Sequence, residues 1–252
     1  MAELQVQYAK TSDGASVAFC VMGSGQPLVE MPSLPFNHLQ ETWRRPRIRI
    51  GWERMSELRT VVRYDSRGTG LSPRDNLDFS LDAQIADLQA VTEKLGLSHF
   101  ELQAIGNSVP AAIAYCARNP GIVTRLLLVN GWARASKWTD YPPLRALSGL
   151  LGRDGETYTE TYARIVLGWD AAEDAKDLAI LLRAAIDAEG MRQWAGAVRS
   201  FDVSDLLPLV DAPTLVLHHR GQGMPPDEAA AEIASGLPNG RLVYVERGST
   251  AA

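Results

Sequence analysis

Short apolar runs alternate along the chain with segments whose apolar residues recur at helical spacing. Runs of this length between turn residues are typical of buried strands, and their alternation with helices predicts a mostly parallel sheet covered by helices on both faces. The turns at Asp13-Gly14 and at 23–25 predict an antiparallel hairpin at the start of the sheet. The predicted strands span residues 16–21, 27–31, 59–64, 99–105, 123–129, 213–218 and 241–245.

Two longer stretches have the periodicity of helices. Residues 81–95 place apolar side chains on one helical face, and Gly96 provides the stop, so this stretch predicts a crossover helix between parallel strands. Residues 132–201 show helical periodicity without strands, which predicts a helical cap inserted into a core made of 1–131 and 202–252. The aromatic residues of this predicted cap are Trp132, Trp138, Tyr141, Tyr158, Tyr162, Trp169 and Trp194.

Size and charge restrict the class of protein. A chain of 252 residues with 46% hydrophobic content is sufficient for one large core, and its net charge of −5 offers no basic stripe for nucleic acid. Four arginines between 44 and 49 form a local cluster, which we interpret as a solvated helix face. No apolar run reaches the ~20 residues of a membrane span, and the first residues lack the pattern of a secretion signal, so we expect a cytoplasmic protein.

The two cysteines predict neither a disulfide nor a metal site. Cys20 and Cys116 lie far apart in the sequence, with no CxxC or Cys/His spacing. Cys116 falls in an apolar helical stretch and is interpreted as an inert core thiol. We therefore expect no metal and no cofactor.

Four motifs, in order along the chain, resemble those of the α/β-hydrolase superfamily. A D-x-R-G-x-G-x-S turn follows a strand, a second strand runs into a helix ending in Arg-Asn-Pro, and two further strands follow at the family's spacing. The resemblance covers nearly the whole chain and implies an α/β-hydrolase fold. The four stretches are RYDSRGTGLS at 63–72, FELQAIG at 100–106 with YCARNP at 115–120, RLLLVNG at 125–131 and APTLVLH at 212–218.

Two details are similar to a narrower group. They are Asn37-His38-Leu39 with Trp43, and the stretch NGWAR at 130–134. They resemble the N-terminal α/β-hydrolase domains of some bacterial class III adenylate cyclases and LuxR-type regulators. This resemblance implies an input module joined to, or associated with, a cyclase or DNA-binding output domain.

In active members of the superfamily the nucleophilic serine sits on a strained turn within G-x-S-x-G. Counting along the strand from Phe100 and back along the helix from Pro120 both place that serine's position at Gly106. A rival register makes Ser108 the nucleophile, but it slips the helix by two residues, which turns its apolar face by about 200°. The other interpretation of Ser108 is a hydroxyl that caps the helix beginning near Pro110.

The acid and base positions also lack the usual residues. Gln222 stands where the resemblance implies an aspartate, and a neutral amide cannot stabilise an imidazolium. Asp227, the nearest carboxylate, is interpreted as a helix-terminal residue. Thr250 stands at the position of the histidine, and of His218 and His219 at least one is interpreted as structural rather than as a relocated base.

These replacements predict a triad that is degenerate at Gly106, Gln222 and Thr250, and hence a catalytically inactive sensory or regulatory module. The expected ligand is a small, largely apolar molecule beneath the cap. An esterase-like enzyme that uses Ser108 or a mechanism without a triad is the alternative. The expected ligand contacts are Leu34, Gly106, Asn107, Trp132, Trp138 and Trp169.

The sequence stops shortly after the last predicted strand, whereas the family continues with a further helix. We therefore expect a neighbouring domain or subunit to cover the sheet, and we predict a homodimer.

Overall fold

The computed structural model describes residues 4–151, 153–169, 171–220 and 225–246, apart from the side chain of Trp138. Eight strands form one sheet in the order β1-β2-β4-β3-β5-β6-β7-β8. The strands are β1 (Gln7–Lys10), β2 (Ser16–Met22), β3 (Gln26–Met31), β4 (Arg59–Asp65), β5 (Phe100–Ile105), β6 (Val123–Val129), β7 (Thr214–His219) and β8 (Gly240–Val245).

Ten α-helices connect or cover these strands in the described part of the chain. Three short 3₁₀ segments, Gly106–Ser108, Ser148–Leu150 and Ser204–Leu209, accompany them. The helices are α1 (Leu39–Trp43), α2 (Pro46–Ser56), α3 (Leu81–Lys94), α4 (Val109–Arg118), α5 (Ser136–Thr139), α6 (Pro142–Leu147), α7 (Gly155–Leu167), α8 (Ala172–Ala185), α9 (Ala188–Val198) and α10 (Asp227–Gly236).

The prediction of a mostly parallel sheet is confirmed: β3 through β8 run parallel, and only β1 and β2 are antiparallel to their neighbours. The predicted hairpin holds for β1 and β2 but not for β2 and β3, because β4 lies between those two strands. The turn at 23–25 therefore joins strands that never pair.

The core lies mainly between the sheet and helices α3, α4 and α10. Alternate strand residues such as Val62, Leu102 and Leu128 point to that side and pack on apolar residues of α3 and α4. Helix α2 contacts the opposite face, where Trp52 covers Arg63 with a distance of 4.2 Å from the guanidinium carbon to the ring centre. The sheet thus has helices on both faces, as predicted.

All helices from α5 to α9 lie between β6 and β7. They bury a second apolar cluster, which includes Tyr158, Tyr162, Trp194 and, from the strand side, Trp132. We call this segment the helical insertion. Its packing against Leu34 and Phe79 sets it over the carboxyl ends of the strands.

Within the described residues, no helix is both long and apolar enough to cross a membrane. The same residues contain no group of three or more histidine, cysteine or acidic side chains placed to hold a metal ion.

Candidate active site at the carboxyl ends of the strands

A sharp turn joins β5 to α4. Strand β5 ends at Ile105, Gly106 begins a single 3₁₀ turn, and α4 starts at Val109. Gly106 has φ 59°, in the left-handed region that a residue without Cβ adopts at little cost. The carboxyl ends of parallel strands are where open α/β sheets bind their ligands. The structure thus places Gly106 on a strand-to-helix elbow of the kind that holds a nucleophile in G-x-S-x-G proteins.

The Ser108 hydroxyl is buried inside this turn and hydrogen-bonded to its backbone. Ser108 Oγ lies 3.1 Å from the backbone N of Ile105, 3.1 Å from the Ile105 carbonyl oxygen and 3.3 Å from the Met31 carbonyl oxygen. The residue is 1% exposed. A hydroxyl that accepts one backbone hydrogen bond and donates to nearby carbonyls is satisfied in place, and no substrate reaches it without opening the turn.

A second hydroxyl lies directly beside the elbow. A Cβ atom built on Gly106 would lie 3.0 Å from Ser33 Oγ. Ser33 belongs to the loop after β3 and is half-buried, and among the described residues its hydroxyl has no hydrogen-bond partner. No sequence motif points to Ser33, because it approaches Gly106 only through the pairing of β3 with β5.

The side chain of Asn107 connects the elbow to the surrounding segments. Its Nδ2 donates to the carbonyl oxygen of Leu34 at 2.7 Å, and its Oδ1 accepts from the indole Nε1 of Trp132 at 3.3 Å. Tyr162 also bonds to Asn107, while burial raises the pKa of the Tyr162 phenol well above its usual value. Three of the expected ligand contacts, Leu34, Asn107 and Trp132, are therefore brought together, but as a buried network that fixes the loop after β3.

Tyr162 also links the elbow region to a cavity in the helical insertion. Its ring stacks on Phe36 with centroids 5.2 Å apart and on Tyr158 at 5.9 Å. The cavity has a volume of about 520 Å³, within the range typical of small-molecule sites. Its lining combines the aromatic residues Tyr158, Tyr162 and Trp194 with the polar residues Asp140, Arg145 and Arg199.

Trp169, one of the tryptophans expected to contact a ligand, does not take part in this arrangement. Trp169 is 70% exposed at the end of the segment that follows α7, with the guanidinium carbon of Arg164 6.0 Å from its ring centre. Its helical spacing alone could not show that it faces solvent. The side chain of Trp138 lies outside the described residues.

The two histidines at the end of β7 have different environments because successive strand residues point to opposite faces. His218 is buried, its Nε2 lies 3.0 Å from Asp227 Oδ1, and its ring meets Tyr244 edge-on at 6.0 Å. Asp227 also lies 3.7 Å from Arg220, so its carboxylate is engaged beyond the helix-terminal role expected from the sequence. His218 is therefore the structural histidine.

His219 is half-buried and is held by Asn130, the residue after β6. Asn130 Oδ1 accepts from the His219 backbone N at 2.8 Å, and Asn130 Nδ2 lies 3.1 Å from the ring Nδ1. Burial and then the neighbouring His218 lower the pKa of His219, so its ring is neutral at pH 7. A neutral, oriented imidazole at the carboxyl ends of the strands is a group that can accept a proton.

A buried polar network supports the loops after β3 and β4. Asp65 accepts hydrogen bonds from the backbone N of Leu39 at 3.0 Å, from the backbone N of Leu71 at 2.9 Å and from Asn37 Nδ2 at 2.6 Å. Burial raises the pKa of Asp65 to about 6 despite these bonds. Asp65, the first residue of the D-x-R-G-x-G-x-S turn, thus stabilises the loops beside the site through buried hydrogen bonds.

The other two predicted triad positions, Gln222 and Thr250, lie outside the described residues. Their replacement of the usual acid and base stays a prediction from the sequence.

Comparisons with known proteins give the fold and its relatives. No family model matches the chain. A protein named "Putative carbamate hydrolase RutD" from Pseudomonas savastanoi is 28% identical over 200 residues, which are 76% of each chain. The AB hydrolase superfamily protein YisY from Bacillus subtilis is 26% identical over 261 residues, 94% of this chain and 89% of YisY.

Solved structures are similar over nearly the whole chain. An esterase from Exiguobacterium antarcticum has a TM-score of 0.82 at 21% identity, covering 95% of this chain and 90% of the esterase. An enol-lactonase from Burkholderia xenovorans has a TM-score of 0.76 at 18% identity, covering 96% and 91%. The chain therefore has the α/β-hydrolase fold, and its relatives support a place in the α/β-hydrolase superfamily.

These relatives overturn the expectation of a catalytically inactive sensory module. The proteins similar in sequence or in fold are named as a carbamate hydrolase, an esterase and an enol-lactonase. The expectation was wrong because it inferred inactivity only from the residues found at the three triad positions, Gly106, Gln222 and Thr250. The elbow backbone remains at Gly106, and a hydroxyl outside the motif lies next to it.

Proposed function

We propose that this protein is an α/β-hydrolase-type enzyme that cleaves a small ester- or carbamate-like carbonyl compound by direct attack of water. The observation that supports this proposal most is the elbow itself. A left-handed glycine on the turn between β5 and α4 keeps the backbone geometry of a nucleophile elbow, and Ser33 Oγ lies 3.0 Å from the position that its Cβ would take. The names of the relatives supply the class of substrate.

The backbone around the elbow can stabilise the charge that develops on a carbonyl oxygen. In this fold the oxyanion site uses the N–H of the residue after the nucleophile together with an N–H from the loop after the third strand. Asn107 and Leu34 occupy those two places, and the bond from Asn107 Nδ2 to the Leu34 carbonyl oxygen holds them together at 2.7 Å. Pro32 and Pro35 have no N–H to offer, and of the remaining residues in this stretch we assign Leu34 as the donor because its carbonyl is held by Asn107.

His219 is the group to which we assign proton transfer. It ends β7, two strands away from β5, so about 10 Å separates the strand ends, a gap that a bound ester or a short chain of waters spans. The water oxygen forms a bond to the carbonyl carbon while the carbonyl π pair moves onto its oxygen. The proton lost by the water passes through His219 to the leaving alkoxide or amine as the bond to that group breaks.

The cavity of the helical insertion provides room for the remainder of the substrate. Its aromatic residues offer packing surface for an apolar group, its Asp140, Arg145 and Arg199 offer partners for polar groups, and Tyr162 in its wall bonds to Asn107 beside the elbow. The small apolar molecule expected under the cap is thus proposed as a substrate.

The test is steady-state hydrolysis of p-nitrophenyl acetate and butyrate, a phenyl carbamate and a simple lactone by the wild-type protein and by His219→Gln. We expect saturable turnover of at least one substrate by the wild type. Loss of a general base typically costs 10²- to 10⁴-fold in rate, and we expect a decrease at the lower end of that range for His219→Gln. Wild-type rates equal to the buffer rate for every substrate would refute the proposal.

Several narrower predictions from the sequence are kept as proposals. They are the similarity to the N-terminal domains of bacterial cyclases and LuxR-type regulators, an associated output domain, a cytoplasmic location and a homodimer. Light scattering tests the last, since a monomeric mass would exclude it.

A further inference from the structure

We propose that the Ser33 hydroxyl binds the reacting water at the elbow, in the space that a nucleophile side chain would otherwise fill. This inference rests on the proposed hydrolytic function and assigns the step to a residue outside the elbow motif. Ser33 lies two residues after the end of β3, and β3 pairs directly with β5, so the loop is adjacent to Gly106.

The Ser33 hydroxyl borders the space that a side chain at Gly106 would occupy, because a Cβ atom built on Gly106 would lie 3.0 Å from Ser33 Oγ. A water bound to Ser33 at an ordinary hydrogen-bond distance of about 2.7–3.0 Å would lie beyond that Cβ position, out of contact with the Gly106 Cα. Apart from the chain next to the glycine, no other heavy atom of the described residues lies within 4 Å of that position. The immediate surroundings of that position are therefore open on the sides away from Ser33.

The loop holds Ser33 rigidly but leaves its hydroxyl free. The backbone N of Phe36 donates to the Ser33 carbonyl oxygen at 2.6 Å, and the Leu34 carbonyl oxygen accepts from Asn107. The Ser33 hydroxyl itself has no hydrogen-bond partner among the described residues, whereas the Ser108 hydroxyl bonds to Ile105. Of the two serines near the elbow, Ser33 is therefore the one with hydrogen-bonding capacity to spare.

The chemistry needs no covalent intermediate. Ser33 Oγ accepts a hydrogen bond from the water and thereby orients a lone pair of the water toward the carbonyl carbon. The new bond joins that water oxygen to the carbonyl carbon, the bond to the leaving group breaks, and the proton lost by the water ends on the leaving group. Ser33 is unchanged at the end, so no acyl group is attached to it at any stage.

The test compares wild type, Ser33→Ala, Ser33→Thr and, as a matched control, Ser24→Ala, which removes an exposed serine in the turn between β2 and β3. With p-nitrophenyl acetate we expect Ser33→Ala to lower kcat about 10- to 100-fold with KM within about twofold, because the hydroxyl orients water rather than substrate. Ser33→Thr keeps the hydroxyl and should retain a third or more of kcat, and Ser24→Ala should match wild type. An unchanged kcat in Ser33→Ala, with the wild type active, would overturn the inference.

Two further readouts separate this inference from the proposed function. Intact mass spectrometry during turnover should show no acetyl adduct, and an adduct on Ser33 would overturn the water mechanism in favour of a nucleophilic serine. A high-resolution crystal structure should show a water 2.7–3.2 Å from Ser33 Oγ at the elbow in wild type and none there in Ser33→Ala. If that water is present but wild type hydrolyses nothing, the proposed function fails and the water site stands; if it is absent, the inference fails even where wild type is active.

Discussion

The indole Nε1 of Trp132 donates a hydrogen bond of 3.3 Å to Asn107 Oδ1, so the residue that follows the elbow glycine is fixed by the chain leading into the helical insertion. Trp132 is completely buried and its ring lies 6.4 Å from that of Phe201 at the far end of the same insertion. The two chain crossings between the core and the insertion therefore pack against each other beside the site.

Replacing Trp132 should be among the most destabilising single changes in this region. Trp132→Ala removes a buried indole and leaves Asn107 Oδ1 without its donor, and we expect a loss of about 3–5 kcal/mol in the free energy of unfolding. Trp169→Ala is the matched control, because its ring is 70% exposed and we expect a change within about 0.5 kcal/mol. Urea unfolding of both variants measures the difference; equal losses would contradict the positions described for the two rings.

Asn107→Ala should reduce both stability and turnover. The change leaves the Leu34 carbonyl oxygen and the Trp132 indole N–H buried without partners, which costs about 1–3 kcal/mol each at most. Because the same bonds hold the Leu34 loop, we expect kcat to decrease as well. The check is to measure kcat at a temperature where circular dichroism shows the variant fully folded; wild-type kcat there would mean that the loop does not depend on Asn107.

The pH dependence of turnover should follow His219. Its pKa lies below the ordinary 6.5, and the neutral ring is the form that accepts a proton. We therefore expect kcat/KM to be level around pH 7 and to fall only as the pH drops through that lowered pKa. In His219→Gln this acid limb should vanish from the pH–rate profile. An acid limb that persists unchanged in the variant would assign the proton transfer to another group.

Stability should depend on pH through Glu30, which is buried beside Arg63 beneath the loop after β3. Burial raises the pKa of Glu30 to about 7 from 4.5, with Arg63 lowering it only in part. The folded protein thus holds this proton more tightly than the unfolded chain, and the contribution is fully present below pH 4.5 and is lost as the pH rises through 7. Glu30→Gln should gain stability over wild type by on the order of 3 kcal/mol between pH 4.5 and 8.

Denaturant unfolding of both proteins at pH 4.5, 6 and 8 measures that difference. Asp65 and Asp87, whose pKa values burial raises to about 6, are present in both proteins, so their contribution cancels in the comparison. A difference between variant and wild type that stays constant with pH would contradict the raised pKa of Glu30.

The sheet was predictable because most of its strands are buried and apolar. Strand β6, for example, spans Val123–Val129 in both the prediction and the structure. Strand β1 was missed because it is a polar edge strand in which only Ala9 is buried. The pairing of β2 with β4 rather than β3 was also beyond local patterns, because it depends on a crossover connection and not on the turn between β2 and β3.

Only those residues of the candidate site that belong to a recognisable sequence motif could be predicted. The elbow at Gly106 follows from counting along β5 and α4, and the structure has a left-handed glycine there. The positions of Ser33 beside Gly106 and of His219 beside Asn130 could not be found this way. Both depend on which strands are neighbours in the sheet, and local sequence patterns do not give that order. The alternation of side chains along β7 offered one usable signal, since it places His218 and His219 on opposite faces.

The most direct test of hydrolysis at an open elbow is the rate of ester hydrolysis by wild type and by Gly106→Ala. The added methyl would lie 3.0 Å from Ser33 Oγ and would crowd the adjacent site proposed for the water, and the left-handed backbone adds a stability cost of about 1 kcal/mol that calorimetry can verify. The account predicts saturable wild-type turnover and at least a tenfold loss of kcat in the folded variant. A wild-type rate no higher than buffer, or a Gly106→Ala rate equal to wild type, would contradict it.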